Sequence, residues 1–161
     1  MTVTTPAPQL AAMDLAIGSI VAQREVRLDS QAFGQFAALT GDAHPIHYDA
    51  GYARGQGLKA PIAHGLLLVA ISALGATALS AQLHDAMVAM LGVDADFRRP
   101  VYLDDTVRCT YRIEQIEHGQ KSRSKVRIAV TIEALDEEGN PGGEPNCRVH
   151  LRFLLKTNIK G

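Results

Sequence analysis

The sequence predicts an α+β domain in which one antiparallel sheet wraps around a long, apolar central helix. Two observations predict it: an uncharged, largely apolar stretch in the middle of the chain, and a series of segments after it in which apolar and polar residues alternate. Alternation with a period of two is typical of antiparallel strands with one buried face. At 161 residues, 47% of them hydrophobic and 20% charged, the chain has the size and composition of a single globular domain.

The apolar stretch contains no Asp, Glu, Lys or Arg between Ala60 and His84. A helix from Gly65 to about Ser80 would be roughly 24 Å long at 1.5 Å per residue, which is short for a membrane span. Glycines and hydroxyl residues also dilute its apolar character. A helix that is apolar on every side is also typical of the interior of a globular protein. We therefore expect a core helix and no membrane association.

Four later segments predict strands with one apolar face each. The alternating apolar residues are Leu91, Val93, Ala95 and Phe97; Val107, Cys109, Tyr111 and Ile113; Val126, Ile128, Val130 and Ile132; and Cys147, Val149, Leu151, Phe153 and Leu155. The connections at His118-Gly119 and over 136–140 are typical of hairpins, with glycine available for a positive φ.

The region before the apolar stretch predicts one strand and two short helices. A strand over 21–28 precedes a helix that begins at Asp29 or Ser30 and ends near Gly41, and a second helix is expected over 49–54. The apolar residues of the first helix are Phe33, Phe36, Ala37 and Leu39.

The ends of the chain and its cysteines bear on domain boundaries and location. Residues 1–15, rich in Thr, Ala and Pro, predict a flexible extension before a domain over 16–161. No basic residue precedes Arg24, which argues against a secretory signal or a transit peptide. The only two cysteines, Cys109 and Cys147, are distant in sequence and indicate neither a disulfide framework nor a cysteine-rich zinc site. We expect a cytoplasmic protein.

The overall charge excludes one class of partner. Sixteen basic and seventeen acidic residues give a net charge of −1, which provides no general attraction for nucleic acid or for an anionic membrane. We therefore expect no nucleic-acid partner, and any anion must bind at a local site.

Two short strings carry the chemistry. The first is Thr40-Gly41-Asp42-Ala43-His44-Pro45-Ile46-His47 and the second is Pro61-Ile62-Ala63-His64-Gly65. Together they closely resemble the signature of the MaoC-like, (R)-specific enoyl-CoA hydratases. The resemblance covers residues 30–80, and the strand pattern is compatible with it to the end of the chain. It implies a hot-dog fold whose early insertion carries the catalytic residues.

The resemblance implies a role for three residues. Asp42 matches the catalytic aspartate, His47 the catalytic histidine, and Gly65 the glycine whose backbone N–H binds the thioester oxygen. Hydration of a conjugated thioester requires a base for water, an acid for C2 and a donor for the developing oxyanion, and these residues supply them. The expected reaction is reversible hydration of trans-2-enoyl-CoA to (R)-3-hydroxyacyl-CoA, in fatty acid metabolism. Pro45, through its fixed φ, stiffens the turn between the catalytic pair.

Four further residues are predicted to contact the substrate. Pro61 and His64 are expected beside the substrate, and Arg98 and Arg99 near the phosphates of coenzyme A. Coenzyme A enters as part of the substrate, and neither a further cofactor nor a metal is expected. The resemblance also implies a homodimer or higher homo-oligomer.

Two positions depart from the family pattern. His44 stands where family members usually have Asn, and its imidazole can either hold the loop or alter the base and its water. Ala73 stands where some members have a serine. The neighbouring Ser72 is rotated by about 100° on a helix and is not a simple replacement.

Several alternatives remain open at this point. His64 can orient the turn into Gly65, or it can be a buried structural histidine whose ring is satisfied by backbone groups. Arg98 and Arg99 can be a solvated strand end. The residues Asp42, His44, His47 and Asp49 could also form a zinc site.

Two other functions are compatible with the same fold: an acyl-CoA thioesterase and a non-catalytic acyl-thioester binding protein. Hot-dog thioesterases commonly need a carboxylate on or beside the core helix, and the acid-free stretch argues against one.

Overall fold

The computed structural model describes residues 8–159. Within them, the strands are β1 (Ile20–Arg27), β2 (Met87–Phe97), β3 (Thr106–His118), β4 (Arg123–Ala134) and β5 (Cys147–Lys156). The helices are α1 (Ser30–Thr40), α2 (Ala50–Gly55), α3 (Gly65–Ile71) and α4 (Ala78–Gln82). The strands form one antiparallel sheet in the order β1-β3-β4-β5-β2, so β1 and β2 are its edges.

The core lies on one face of this sheet, and the alternation predicted it for the three central strands. All predicted inward residues of β3, β4 and β5 are at most 7% exposed. Phe33 of α1 and Leu67 and Leu68 of α3 belong to the same buried cluster. Arginine, threonine and glutamate occupy the alternate positions, so the opposite face of the sheet is polar.

The single helix predicted over 65–80 is wrong, because three short helical pieces occupy this stretch. The hydroxyl of Ser72 donates to a carbonyl of the preceding turn at 2.7 Å, which competes with continuation of the helix. Arg24 of β1 donates to the carbonyl of Ile71 at 3.2 Å. Ala73 then takes an extended conformation (φ −53°, ψ 127°), followed by a 3-10 turn and α4. Among residues 8–159, no helix has the length and apolarity needed to cross a bilayer.

Helix α1 has the predicted boundaries. Asp29 caps its N-terminus by accepting from the N–H of Ala32 at 2.9 Å, and Gly41 ends it with a left-handed φ of 78°. Leu39, one of the apolar residues of this helix, is 86% exposed. It lies about 240° around the helix from the buried Phe33.

Strand β2 begins earlier than predicted and contains a bulge. The pairing with β5 shifts between Met90 and Gly92, so Met90 pairs with Phe153 on the core face. Leu91 therefore lines a depression on the polar face with Arg127 and other residues, and its predicted inward orientation is wrong.

A glycine has the predicted positive φ in only one of the two hairpin turns. Gly139 has a φ of 82° in the turn before β5. Between β3 and β4, however, the left-handed positions are Lys121 and Ser122, at 56° and 53°, and not Gly119.

The segment before β1 packs on the domain where the structure describes it. Residues 1–7 lie outside the described residues. Ala11 and Ala12 are each 1% exposed, the N–H of Leu10 donates to Gln82, and that of Met13 donates to Thr157. The loose character predicted for residues 1–15 therefore does not extend to this part of the segment.

Candidate active site

Asp42 lies in the loop that leaves α1. The hydroxyl of Thr40 donates to the carbonyl of Phe36 at 2.7 Å and accepts from the N–H of Asp42 at 3.2 Å. A carboxylate oxygen of Asp42 lies 3.4 Å from the backbone nitrogen of His44, as in an Asx turn. The carboxylate is thus oriented by its own loop while the residue remains exposed.

His47 ends a 3-10 turn over 45–47, and its ring is held by one hydrogen bond. Its Nδ1 lies 2.7 Å from the carbonyl oxygen of Ile62. Since a carbonyl only accepts, Nδ1 carries the hydrogen, and Nε2 of the neutral ring is left as a base. His44 caps the same turn, because its Nδ1 accepts from the N–H of Ile46 at 3.3 Å. This contact favours the loop-holding role for His44.

His64 lies behind His47 in the interior. It is 2% exposed, and its ring stacks on that of His47 with centroids 3.8 Å apart and planes inclined by 27°. Its Nε2 lies 2.9 Å from the hydroxyl of Tyr48 and 3.3 Å from the carbonyl oxygen of Asp42. Burial and the nearby His47 lower the pKa of His64, which favours the neutral form of its ring. Its Nδ1 has no hydrogen-bond partner among residues 8–159.

Tyr48 connects the loop that carries Asp42 and His47 to α1. Its hydroxyl lies 3.2 Å from the carbonyl oxygens of both Phe33 and Asp42, besides its contact with His64. Burial, and then the charge of Asp42, raise the pKa of Tyr48. The sequence reasoning assigned this residue no role, although it directly follows His47. The adjacency was the available signal, but only the fold brings its hydroxyl to Asp42 and His64.

A cleft of about 420 Å³ opens beside His47 and Gly65. Its walls are mostly apolar, and Arg98 and Arg99 also line it; the apolar lining includes Leu58, Ile62, Leu68, Phe97, Pro100 and Val101. Pro61 and His64 are buried and are not among the lining residues, so the cleft geometry does not favour their predicted contact with substrate. Pro61 instead accepts from the N–H of Leu103 at 2.9 Å.

Gly65 is the first residue of α3, so its N–H has no acceptor within the helix. A Cβ at this position would lie 2.9 Å from Cζ of Phe97, so any larger residue would force the ring or the backbone to shift. Because α3 has only seven residues, the helix dipole contributes less than the predicted long helix would. The N–H group itself is what this position offers to a ligand.

The arginines at the cleft are held by a residue that the sequence reasoning missed. The backbone N–H groups of Arg98 and Arg99 donate to the carbonyl of Asn146 at 2.9 and 3.2 Å. The amide of Asn146 donates to Pro100 at 3.0 Å and accepts from Ala134 at 2.8 Å, and the residue is 6% exposed. Nothing in the sequence distinguishes this Asn from an ordinary loop residue.

Two of the four residues predicted as ligands of the alternative zinc site cap helical turns instead. His44 caps the turn before His47, and Asp49 caps α2 by accepting from Tyr52 at 2.9 Å. The described residues instead bring possible ligand atoms of Asp42, His47 and His64 within 4.8 Å of one another. Imidazole lone pairs lie in the ring planes, and two stacked rings do not aim them at one ion. The metal-free site stays a prediction.

Comparisons with known proteins place these features in a family context. A family model described as MaoC like domain matches residues 15–135. The chain is 32% identical over 98 residues to the (R)-specific enoyl-CoA hydratase of Aeromonas caviae. The aligned region covers 61% of this chain and 70% of that protein.

Solved structures share the fold. A monoamine oxidase regulatory protein from Archaeoglobus superimposes with a TM-score of 0.81 at 21% identity, covering 96% of this chain and 99% of that one. A MaoC-like dehydratase from Rhodospirillum rubrum gives 0.75 at 20% identity, covering 92% and 98%. The (R)-hydratase from A. caviae involved in PHA biosynthesis gives 0.65 at 23% identity, covering 89% and 98%. These similarities confirm the predicted α+β hot-dog fold.

Proposed function

Because the chain belongs to the MaoC-like domain family, we propose that it reversibly hydrates trans-2-enoyl-CoA thioesters to (R)-3-hydroxyacyl-CoA. Hydro-lyase chemistry agrees with the (R)-specific enoyl-CoA hydratase that it resembles at 32% identity. The observation that carries the proposal is that Asp42 and His47 bring possible ligand atoms within 4.8 Å of each other, and that His47 lines a cleft that Gly65 also lines. An acid–base pair beside a free backbone donor is what addition of water to a conjugated thioester needs.

The proposed step uses one water held between the carboxylate of Asp42 and Nε2 of His47. The water oxygen bonds to C3, and the C2–C3 π electrons shift toward C2 and the thioester oxygen. His47 accepts one proton from this water, and the pair delivers one proton to C2. Water is thereby added across the double bond, and both side chains return to their initial protonation states. Positioned acid–base groups contribute typically about 10²–10⁴-fold to rate.

The N–H of Gly65 is the proposed donor to the thioester oxygen as that oxygen becomes enolate-like. The absence of a side chain lets a substrate approach this N–H from the cleft. Individual donors of this kind contribute roughly 10²–10³-fold to kcat in other enzymes.

Arg98 and Arg99 are proposed to bind the phosphates of coenzyme A. Both residues are exposed and line the cleft that contains His47 and Gly65. Asn146 fixes their backbone, so both side chains extend from a defined segment of the chain. Binding through exposed cations weakens as salt concentration rises.

A homodimer is proposed to form through the edge strand β2. Val88, Met90, Val93 and Phe97 on this strand are each at least 42% exposed, and Leu66 on α3 is 68% exposed. An apolar edge strand with unpaired backbone groups is a template for pairing with another chain. We propose that a second copy covers it, as in closed two-fold assemblies.

Two rivals need to be separated from hydration. A thioesterase would release free thiol, but no carboxylate occurs between Ala60 and His84, where α3 and α4 lie. A binding protein would retain the cleft without the chemistry.

The metal-free site and a reducing cytoplasmic location are also part of the proposal. Cys109 and Cys147 are both free and buried, which agrees with that location.

The test incubates the purified protein with crotonyl-CoA and with longer trans-2-enoyl-CoAs. Loss of the conjugated double bond and release of free thiol are followed separately. We expect loss of conjugation without thiol, formation of the (R)-3-hydroxyacyl product, and full activity after treatment with a chelator. Thiol release without hydration would favour the thioesterase, and binding without either reaction would favour the binding protein.

A further inference from the structure

Phe97 lines the same cleft as Gly65 and lies against its backbone, and this contact bears on substrate choice. Phe97 is the last residue of β2, and its pairing with Cys147 of β5 places it on the core face of the sheet. A Cβ built on Gly65 would lie 2.9, 3.1 and 3.2 Å from Cζ, Cε2 and Cε1 of the Phe97 ring. The outer end of the ring thus lies directly against the backbone of Gly65, with no space for one methyl group between them.

We propose that Phe97 restricts this enzyme to enoyl thioesters that carry only hydrogen at C2. The inference rests on the proposed hydratase function and on Gly65 as the donor to the thioester oxygen. C2 is separated from that oxygen by the carbonyl carbon alone. A substrate whose oxygen reaches the N–H of Gly65 therefore places C2 beside the contact between Gly65 and Phe97.

His47 sets a second limit on the position of C2 in the proposed step. His47 lines the same cleft, and the proton that it exchanges must reach C2. Turning a C2 methyl away from Phe97 would move C2 away from this proton, or the oxygen away from Gly65. A hydrogen at C2 fits between these constraints, whereas a methyl group meets the ring.

The backbone at Phe97 is fixed on both sides. Its strand pairs with β5 up to Cys147, and the next two N–H groups donate to the carbonyl of Asn146. The ring itself is about half exposed, at 53% for the residue, and rotating it outward would uncover the rest of its apolar surface. The restriction therefore belongs to the fold, and truncation of this side chain is the way to relieve it.

The experiment compares three substrates: crotonyl-CoA, its 2-methyl analogue tiglyl-CoA, and 4-methyl-2-pentenoyl-CoA, which is branched away from C2. For the native protein we expect kcat/KM for tiglyl-CoA to be about 10–200-fold below that for crotonyl-CoA, the range that one methyl-sized group typically produces in a pocket. Phe97→Ala and Phe97→Leu should both reduce the ratio of kcat/KM for crotonyl-CoA to that for tiglyl-CoA, and Phe97→Ala should reduce it by at least about tenfold. The corresponding ratio for 4-methyl-2-pentenoyl-CoA should change little in either variant.

Ile17→Ala is the matched control variant, because Ile17 is a similarly exposed apolar residue, at 63%, that precedes the opposite edge strand β1. It should leave all three ratios unchanged. Phe97→Leu keeps an apolar side chain if Phe97→Ala does not fold. Equal hydration of crotonyl-CoA and tiglyl-CoA by the native protein, or an unchanged ratio in a folded Phe97 variant, overturns the inference. Failure to hydrate crotonyl-CoA at all would instead overturn the proposed function.

Discussion

The two sides of the cleft are held in place by different interactions. On one side, His47 and the nearby Asp42 lie in loops that are positioned by hydrogen bonds accepted by Thr40, His44 and Ile62. The other side is built by close packing, with the Gly65 backbone against the Phe97 ring, and by the pairing of β2 with β5. The first side should respond to changes in hydrogen bonding and protonation, and the second to changes in volume.

The largest expected effect comes from removing the acid–base groups themselves. Asp42→Asn and His47→Ala should each lower kcat by about 10²–10⁴-fold, because neither replacement can exchange a proton at neutral pH. The fold should persist, since Asp42 is exposed and His47 is partly exposed. Steady-state hydration of crotonyl-CoA, together with circular dichroism, measures both.

Asp49→Asn is the control for this pair. Asp49 lies two residues after His47, and its side chain accepts a hydrogen bond from Tyr52, which Asn can also accept. This variant should retain activity. Full activity in Asp42→Asn or His47→Ala would show that the acid–base pair has been assigned wrongly.

On the packed side, Gly65→Ala tests the contact with Phe97. The added Cβ would lie 2.9 Å from the ring, so the free energy of unfolding should fall by about 1–3 kcal/mol, as in other overpacked sites. Displacing the donor by even ~1 Å should also lower kcat/KM by about 10²-fold. Urea unfolding and hydration kinetics measure the two effects.

The double variant Gly65→Ala with Phe97→Ala sharpens this test. If the ring is the obstacle, adding the methyl group in the Phe97→Ala background should cost less stability than it does in the native protein. Equal costs in both backgrounds would mean that the methyl group is opposed by something other than the ring.

His64 joins the two sides, since its ring stacks on His47 and it directly precedes Gly65. Burial lowers its pKa below the usual value, so below about pH 6.5 the unfolded chain binds a proton that the folded chain does not. The contribution of His64 to the free energy of unfolding should therefore be fully present above this pH and be lost as the pH falls below it. His64→Phe should remove this part of the pH dependence of the melting temperature. His84→Gln, at an exposed site, should leave it unchanged.

The sequence predicted the central strands and the loop that carries Asp42 and His47 for a common reason: both follow from local patterns. Alternation identified the buried residues of β3, β4 and β5, and the capping residues Asp29 and Gly41 bounded α1. The resemblance named Asp42, His47 and Gly65, which the structure brings to one region, although their catalytic roles stay predictions.

What the sequence did not predict depends on contacts between distant residues. The core helix ends at Ile71, where Arg24 of the first strand binds its last carbonyl. Asn146 holds the arginine segment from more than forty residues away, and Leu91 faces outward because of a bulge in the pairing with β5. None of these contacts leaves a local pattern, because each partner residue is unremarkable in its own segment.

The smallest expected effect tests how much of the hydrogen-bonded side depends on His44. Its Nδ1 accepts from the N–H of Ile46, a capping role that the Asn usual in the family can also perform. His44→Asn should therefore keep the stability and hydration rate within about twofold of the native values, whereas His44→Ala should cost about 0.5–2 kcal/mol of stability, as the loss of a helix cap typically does. The rate of His44→Ala should fall several-fold with the loosened turn, far less than that of His47→Ala. A rate as low in His44→Asn as in His47→Ala would instead mean that the imidazole of His44 acts on the water itself.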